Sequence, residues 1–365
     1  MNDSPFQRGS RAAPPAVTLG DAVPLADRAD NRVLVPVIEG APPRPPSDIV
    51  WSLGGPTMGT TWNARVIAPP GADQADFQSA IEAELAEIVR LFSPWERASE
   101  VSRFNAAPEG MWALSKPFWA FLDATMDLGD ETNGAVDPTL GALVDLWGFG
   151  PPGPRSPLLP TPSYEEVVDA LKVSGWQKLR TNREAGAAMQ MGGMKLDFSG
   201  LAKGHAVDRV SDRLAAMGAT SHLVEIGGEL KGRGVKPDAQ PWWAEIERVD
   251  DSPAPRTVVA LYDLALATSG DYRRAFVHQG RRYSHTIDGS TGRPVDNGLA
   301  SVSVLHPLGL RADAYATALT VMGPYEGPEF AEAIGLAAHF VHRTERGLVE
   351  IMTPAWRAMM DENPG

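Results

Sequence analysis

The residues best suited to chemistry lie in one stretch, between positions 263 and 322. Asp313 and Thr317 stand four residues apart in an Ala-rich run that predicts a helix, so their oxygens share one face and could bind one Mg²⁺. His285 lies among Ser, Thr and Asp neighbours and could act as a base. Asp271 lies in a predicted tight turn ahead of that histidine. Phosphate chemistry with a divalent cation uses this combination of groups.

Each of these residues also has a purely structural interpretation. Asp313 near a helix start could cap backbone amides, and Thr317 could donate back to a carbonyl oxygen. His285 could be an ordinary turn residue, and the other six of the seven histidines show no metal-ligand spacing. The stretch taken alone leaves a metal site and a capped helix both open.

Composition excludes several classes of protein. With 365 residues, 43% of them apolar, the chain can bury one large core or two packed lobes, and we expect two lobes. A net charge of −13 argues against a nucleic-acid groove or an anionic-membrane surface, since both require clustered Lys and Arg. The absence of cysteine excludes disulfides, thiolate catalysis and Cys-ligated metal centres. An anionic ligand would therefore be bound by local amides and a metal.

The start of the chain differs in composition from the remainder. Proline clusters predict a Pro/Ala-rich, partly disordered leader over 1–50 and a globular part over 51–365, with a proline-rich connector near 151–162. The start as written shows no signal peptide and no lipobox cysteine. No run of apolar residues is long enough to cross a bilayer.

Hydrophobic periodicity predicts an α+β fold rather than a doubly wound parallel sheet. Helical spacing is found over 74–92, 117–128 and 164–173. Strand patterns are found over 60–66, 222–226, 243–249, 257–261, 300–305 and 337–342. Strands therefore dominate the C-terminal half, with helices mainly between groups of strands.

A second candidate site lies at 196–205. A predicted strand at 196–198 leads through a Gly-containing turn into an amphipathic helix, where backbone amides could approach a phosphate closely. The segment lacks the Gly-Lys-Ser/Thr ending of a P-loop. The alternative is an ordinary strand-to-helix turn with Lys203 in solvent.

Three more residues have both a structural and a ligand-binding interpretation. Asp137 could cap the following segment or bond the polar edge of a ligand ring. Met58 could fill a gap in the core or press its thioether against an aromatic ligand. Trp95 could pack in the core or stack on a flat ring.

Nine short motifs, taken in order, resemble those of the ApbE-type FAD:protein FMN transferases. They are MGTT at 58–61, SEVSRFN at 99–105, GAVDPT at 134–139, LVDLWGF at 143–149, LDFSGLAKG at 196–204, EIGG at 225–228, TSGDY at 268–272, YSHTID at 283–288 and ADAYAT at 312–317. The resemblance in order and spacing covers nearly the whole predicted globular part.

The resemblance implies two α/β lobes with largely antiparallel sheets and an FAD site in the cleft between them. It implies a Mg²⁺-dependent enzyme that cleaves the pyrophosphate of FAD, joins FMN through a phosphoester to a Thr or Ser of a partner protein, and releases AMP. The implied partner is a flavoprotein subunit of a redox complex, and the implied location is periplasmic. Since the chain as written shows no signal peptide, a cytoplasmic location stays open.

The resemblance also assigns roles to individual residues. It implies that His285 is catalytic, and Asp271 is expected to orient it or to contact the cofactor. It implies a metal bound by the Gly200 carbonyl oxygen, Asp313 and Thr317. The residues implied at flavin-nucleotide contacts are Met58, Trp95, Ala135, Val136, Asp137, Asp197, Lys203 and Ile287.

Two other activities remain open at this point. The same groups could hydrolyse FAD to FMN and AMP with water as the acceptor. Alternatively, the chain could bind flavin as a carrier without catalysing a reaction.

Overall fold

The computed structural model describes most of the chain, as strands and helices arranged around one large sheet. The described residues are 23–24, 32–37, 42–156, 161–249, 256–271 and 274–360. The strands are β1 (Val23–Pro24), β2 (Arg32–Leu34), β3 (Val50–Thr57), β4 (Thr60–Ile67), β5 (Gly110–Ala113), β6 (Thr181–Asn182), β7 (Ala187–Gln190), β8 (His222–Ile226), β9 (Glu229–Arg233), β10 (Trp242–Glu245), β11 (Thr257–Leu261), β12 (Leu264–Gly270), β13 (Ala275–His278), β14 (Arg281–Ser284), β15 (Ile287–Asp288), β16 (Arg293–Pro294), β17 (Leu299–His306), β18 (Ala337–Thr344) and β19 (Gly347–Met352). The helices are α1 (Gln74–Phe92), α2 (Glu100–Asn105), α3 (Lys116–Glu131), α4 (Gly141–Leu146), α5 (Tyr164–Lys172), α6 (Ala202–Ala216), α7 (Gly309–Ala333) and α8 (Pro354–Ala358), with a 3₁₀ turn at Trp176–Lys178.

The central sheet has nine strands in the order β1-β19-β18-β17-β12-β9-β8-β4-β3, and every neighbouring pair is antiparallel. β17 lies between β18 and β12 and is buried along almost its whole length, so it belongs to the core of the protein. In β4, Trp62, Ala64 and Val66 face the core while the residues between them face outward. The α+β class with largely antiparallel sheets is confirmed.

Most predicted elements are confirmed, and two strands differ. The predicted strand at 243–249 ends at Glu245, because its partner β11 begins only at Thr257. The predicted strand at 196–198 is wrong. The Asn105 side chain takes both backbone groups of Leu196, accepting from its N–H at 2.7 Å and donating to its carbonyl oxygen at 2.8 Å. A neighbouring strand therefore has no backbone groups to pair with at that residue.

The helices form where capping groups and apolar faces favour them. The side chain of Asp73 accepts from the Ala75 amide at the start of α1, and the apolar face of that helix is buried. α7 contains a break at Gly323 (φ 84°, ψ −174°), directly before Pro324, so it consists of two helical segments. In the described part of the chain, every helix is too short or too polar to cross a bilayer.

Two hydrophobic clusters lie on either side of a cleft. The larger joins α1, α3, α6 and α7 to the central sheet. The smaller joins α4 and α5 to β15, and its buried members include Leu143, Trp147 and Ile287. Trp147 Nε1 donates to the Gly292 carbonyl oxygen at 2.8 Å, which ties α4 to the turn after β15.

Two parts of the predicted leader belong to sheets. β1 pairs with β19, and β2 pairs in parallel with β11. Leu34 is fully buried in a cluster with Trp242 and Trp356, and Arg32 forms a 2.6 Å ion pair with the buried Glu350. These two segments of the predicted leader are therefore part of the fold. Positions 1–22, 25–31 and 38–41 of the leader lie outside the described residues.

The contribution of β2 can be measured with two adjacent residues. We expect Leu34→Ala to lower the free energy of unfolding by about 2–5 kcal/mol, because it removes fully buried apolar atoms and leaves a cavity. Val33→Ala, at a side chain that is 38% exposed, should cost less than about 1 kcal/mol. Urea denaturation of both variants checks this. Equal, small losses would mean that β2 contributes nothing to the fold.

Candidate active site

The cleft between the two clusters collects most of the predicted site residues. The smaller cluster and its flanking turns form one wall, while the loop before α6, the end of β12 and the first turns of α7 form the other. The lining residues are Ala135, Val136, Asp137, Leu140, Val144, Phe149, Asp197, Ser199, Gly200, Leu201, Lys203, Glu229, Thr268, Ser269, Gly270, Arg274, His285, Thr286, Ile287, Asp313 and Thr317.

Oxygen atoms of three chemical kinds line the cleft where the loop before α6 reaches α7. Thr317 Oγ1 lies 3.5 Å from the Gly200 carbonyl oxygen and 3.4 Å from Ser269 Oγ. Asp313, one turn earlier on the same face of α7, is 4% exposed. A Cβ at Gly200 would lie 2.9 Å from Thr317 Oγ1, so glycine permits this close approach. Carbonyl, hydroxyl and carboxylate oxygens are the ligands that Mg²⁺ prefers.

The structural alternatives for Asp313 and Thr317 are realised only in part. Asp313 does bind a backbone amide, but Oδ2 accepts from Gly204 N of α6 at 2.9 Å rather than from its own helix. Thr317 approaches the carbonyl of Gly200, which lies outside α7. Both side chains are thus directed across the α6–α7 contact and towards the loop that lines the cleft.

Lys203 is not in solvent. Its Nζ donates to both carboxylate oxygens of Glu229 at 2.6 Å, and the Glu229 side chain is 2% exposed while that of Lys203 is 28% exposed. Sequence reasoning gave Glu229 no role. Its position directly after Gly227-Gly228, at the start of a strand, was the available signal.

Asp137 and Asp197 both hold the turns in which they lie. Asp137 Oδ1 accepts from the amide and hydroxyl of Thr139 at 2.8 and 2.6 Å, and Oδ2 accepts from Trp176 N at 3.1 Å. Asp197 Oδ1 accepts from Ser199 N at 2.8 Å. Burial raises the pKa of both carboxyl groups, although these hydrogen bonds oppose the rise. The capping interpretation of Asp137 is observed, and both residues also line the cleft.

His285 lies in the loop between β14 and β15 and is oriented by a backbone carbonyl. Its Nδ1 lies 3.1 Å from the Arg274 carbonyl oxygen, which can only accept, so Nδ1 carries the proton in this contact. In the neutral ring the lone pair is then on Nε2. The ring meets Phe149 edge to face at a centroid distance of 6.4 Å. This arrangement suits a general base.

The described contacts of the Asp271 oxygens are with two arginines and not with His285, and its expected contact with the cofactor stays a prediction. Its Oδ2 forms a 2.6 Å ion pair with Arg343, and its carbonyl oxygen accepts from Arg282 at 2.9 Å. Asp271 is also not among the residues that line the cleft. Its side chain therefore ties the end of β12 to Arg343, whereas the Arg274 carbonyl oxygen contacts the His285 ring.

The remaining predicted contacts divide into two groups. Ala135, Val136 and Ile287 line the cleft. Met58 lies in the turn between β3 and β4, packed against the larger cluster, and Trp95 is 46% exposed; neither lines the cleft.

Trp95 is nevertheless linked to the cleft through Arg274, whose guanidinium lies 5.7 Å from the Trp95 ring centroid. Sequence reasoning missed Arg274 and Ser269. Ser269 was within a quoted motif, whereas no local pattern distinguishes Arg274.

Known proteins resemble the chain over most of its length. A family model described as the ApbE family matches residues 58–340. The FAD:protein FMN transferase of Vibrio cholerae is 36% identical over 313 residues, which cover 85% of this chain and 92% of that protein. The corresponding protein of Haemophilus influenzae is 35% identical and covers 86% of this chain and 92% of its own. The solved apo structure of Pseudomonas stutzeri flavinyl transferase ApbE has a TM-score of 0.78 and 38% identity, covering 86% of this chain and 97% of its own.

The buried ion pair in the cleft gives a stability prediction. Lys203→Met removes the ammonium group from a buried carboxylate, so we expect a loss of about 2 kcal/mol or more in unfolding free energy. The loss should fall below that of a fully buried pair because Lys203 is partly exposed. Adding Glu229→Gln to the Lys203→Met variant should recover part of it, because no charge is then left buried. Additive losses in a double-mutant cycle by urea denaturation would contradict the coupling.

Proposed function

The chain belongs to the ApbE family, and we propose that it is an FAD:protein FMN transferase. The observation that carries this proposal is the joint presence, in one cleft, of a cluster of hard oxygen donors, a buried Lys–Glu pair and an oriented histidine. Phosphoryl transfer needs these groups, since its catalysis consists mainly of positioning and charge stabilisation.

The residues present fit a magnesium ion. In the described part of the chain no group of three or more His, Cys, Asp or Glu side chains could hold a metal, so a mixed set of oxygens is required. We propose that the Gly200 carbonyl oxygen, Asp313 and Thr317 form this set, with the remaining positions filled by water and substrate. A Mg²⁺ ion held by these oxygens would supply positive charge to offset that of the pyrophosphate.

His285 acts as the general base in this proposal. The hydroxyl oxygen of an acceptor Thr or Ser attacks the phosphorus of the FMN half of FAD, and the hydroxyl proton goes to Nε2 of His285. A new oxygen–phosphorus bond forms, the bond to the bridging oxygen breaks, and AMP leaves with that oxygen. Arg274, and Lys203 in its ion pair with Glu229, would lie beside the phosphates.

The remaining contacts follow from the lining of the cleft. Ala135, Val136 and Ile287 present apolar surface to the flavin nucleotide, beside Asp137 and Asp197. Trp95 and Met58 lie outside the cleft lining, and they would contact the flavin only where it extends beyond the cleft. The acceptor we propose is a flavoprotein subunit of a redox complex, modified in the periplasm.

The test of this function is covalent labelling. The purified chain is incubated with FAD, Mg²⁺ and an acceptor domain bearing an Asp-x-x-Ser/Thr-Gly-Ala-Thr motif, and the products are followed by in-gel flavin fluorescence and AMP release. We expect one AMP per flavin attached, and no labelling after chelation of the metal or when the acceptor hydroxyl is replaced by alanine. AMP without labelling would identify a hydrolase, and neither product would identify a carrier.

The role of His285 is tested by replacing it and, as a control, a second histidine of the β13–β14 hairpin. We expect His285→Ala to lower the transfer rate by about 10²–10⁴-fold with FAD binding retained, because a general base contributes a factor of this size. His278→Ala is the matched control, since His278 lies in β13 of the same hairpin and does not line the cleft. An unaltered rate for His285→Ala would contradict its role as the base.

A further inference from the structure

α7 begins without a cap of its own. Its N-cap residue, Leu308, makes no side-chain capping hydrogen bond, and the first turn contains no acidic residue. The first amides of an α-helix have no partner within the helix, so buried ones require one from outside. Asp208 of α6 supplies it, because Oδ1 accepts from Gly309 N at 2.8 Å and Oδ2 accepts from Leu310 N at 2.9 Å.

α6 begins in the same way and is capped from α7. Its N-cap residue, Leu201, also makes no side-chain capping hydrogen bond. Asp313 Oδ2 accepts from Gly204 N, in the first turn of α6, at 2.9 Å. Gly204 precedes Asp208 by four residues, and Gly309 precedes Asp313 by four. Each helix therefore carries an aspartate, four residues after its own glycine, that accepts a hydrogen bond from the first turn of the other helix. We call this arrangement the reciprocal cap.

The reciprocal cap depends on glycine at both points of contact. A Cβ at Gly204 would lie 2.3 Å from the Gly309 carbonyl oxygen, and a Cβ at Gly309 would lie 2.5 Å from the Gly204 carbonyl oxygen. The two backbones are thus in direct contact. Lys231 Nζ donates to Asp208 Oδ1 and to the Pro307 carbonyl oxygen, both at 2.7 Å, so the capping carboxylate is itself held in place.

The reciprocal cap determines where the metal ligands lie. Thr317 Oγ1 lies 3.5 Å from the Gly200 carbonyl oxygen, which belongs to the loop that leads into α6. A slip of α7 by one residue would move its side chains by about 1.5 Å along the helix axis and rotate them away. A small ion with strict octahedral geometry does not tolerate such a shift.

We propose that Asp208 is a positioning residue for the metal site, acting through its cap on α7. It fixes the register at which Asp313 and Thr317 meet the Gly200 loop, and it contacts neither metal nor substrate. This inference rests on the magnesium site of the proposed function.

The experiment measures binding of Mn²⁺, used as a paramagnetic substitute for Mg²⁺, by electron paramagnetic resonance on the full chain. Asp208→Ala removes both capping oxygens, and Asp208→Asn keeps one. Ser163→Ala is the matched control, because it removes the N-cap of α5, whose capping residue does not line the cleft. Thermal unfolding of each variant is recorded alongside.

We expect Asp208→Ala to weaken Mn²⁺ binding by about 10-fold or more, with a smaller loss for Asp208→Asn. Ser163→Ala should lower the unfolding temperature and leave Mn²⁺ binding unchanged. Wild-type Mn²⁺ affinity in Asp208→Ala would overturn the positioning role, as would an equal loss in Ser163→Ala. If Asp208→Ala does not fold, the Mn²⁺ affinity of Asp208→Asn is the test, and a wild-type affinity in that variant would overturn the positioning role. Absence of Mn²⁺ binding in the unsubstituted chain would overturn the metal site itself, and this inference with it.

Discussion

Two helices, α6 and α7, approach so closely that backbone meets backbone at Gly204 and Gly309. This contact buries amide groups that no residue of the same helix can satisfy, and an unsatisfied buried amide is costly. Asp208 and Asp313 satisfy them across the contact. A buried carboxylate is itself costly unless it accepts hydrogen bonds or is paired. Asp208 accepts from two amides and pairs with Lys231, and Asp313 accepts from the Gly204 amide. A carboxylate needed for packing is thereby fixed at the edge of the cleft.

The two walls of the cleft differ in chemistry. The α6–α7 wall presents oxygen donors and the Lys203–Glu229 pair, whereas the other wall is mainly apolar and leads to His285. Stacked rings support the histidine side, since Tyr283 lies between Phe276 and Trp147 at centroid distances of 5.0 and 5.7 Å. The lining contains two basic side chains, Lys203 and Arg274, beside four acidic ones, Asp137, Asp197, Glu229 and Asp313. A pyrophosphate in this cleft would therefore need the proposed cation to offset its charge.

Features governed by local pattern could be predicted from the sequence. The 3.6-residue spacing of Phe77, Ile81 and Leu85 was sufficient for α1, and the i, i+4 relation placed Asp313 and Thr317 on one face. Local pattern could not predict partners distant in the chain, and only the family resemblance brought Gly200 together with Asp313 and Thr317.

Asp271 pairs with Arg343, 72 residues away. Asn105 takes the backbone groups of Leu196, 91 residues away, and so prevents a strand that the pattern favours. Leu34 enters the core from a segment whose composition indicated a leader. Each of these contacts joins residues far apart in the chain, which local pattern does not reveal.

The proposed metal site can be tested directly by growing crystals of the chain with Mn²⁺ and FAD and recording anomalous scattering at the manganese absorption edge. We expect one strong peak, about 2.1–2.2 Å from the Gly200 carbonyl oxygen, a carboxylate oxygen of Asp313 and Thr317 Oγ1. A cation bound elsewhere in the cleft, with Asp313 still engaged only with the Gly204 amide, would show that this carboxylate is a helix cap and not a metal ligand.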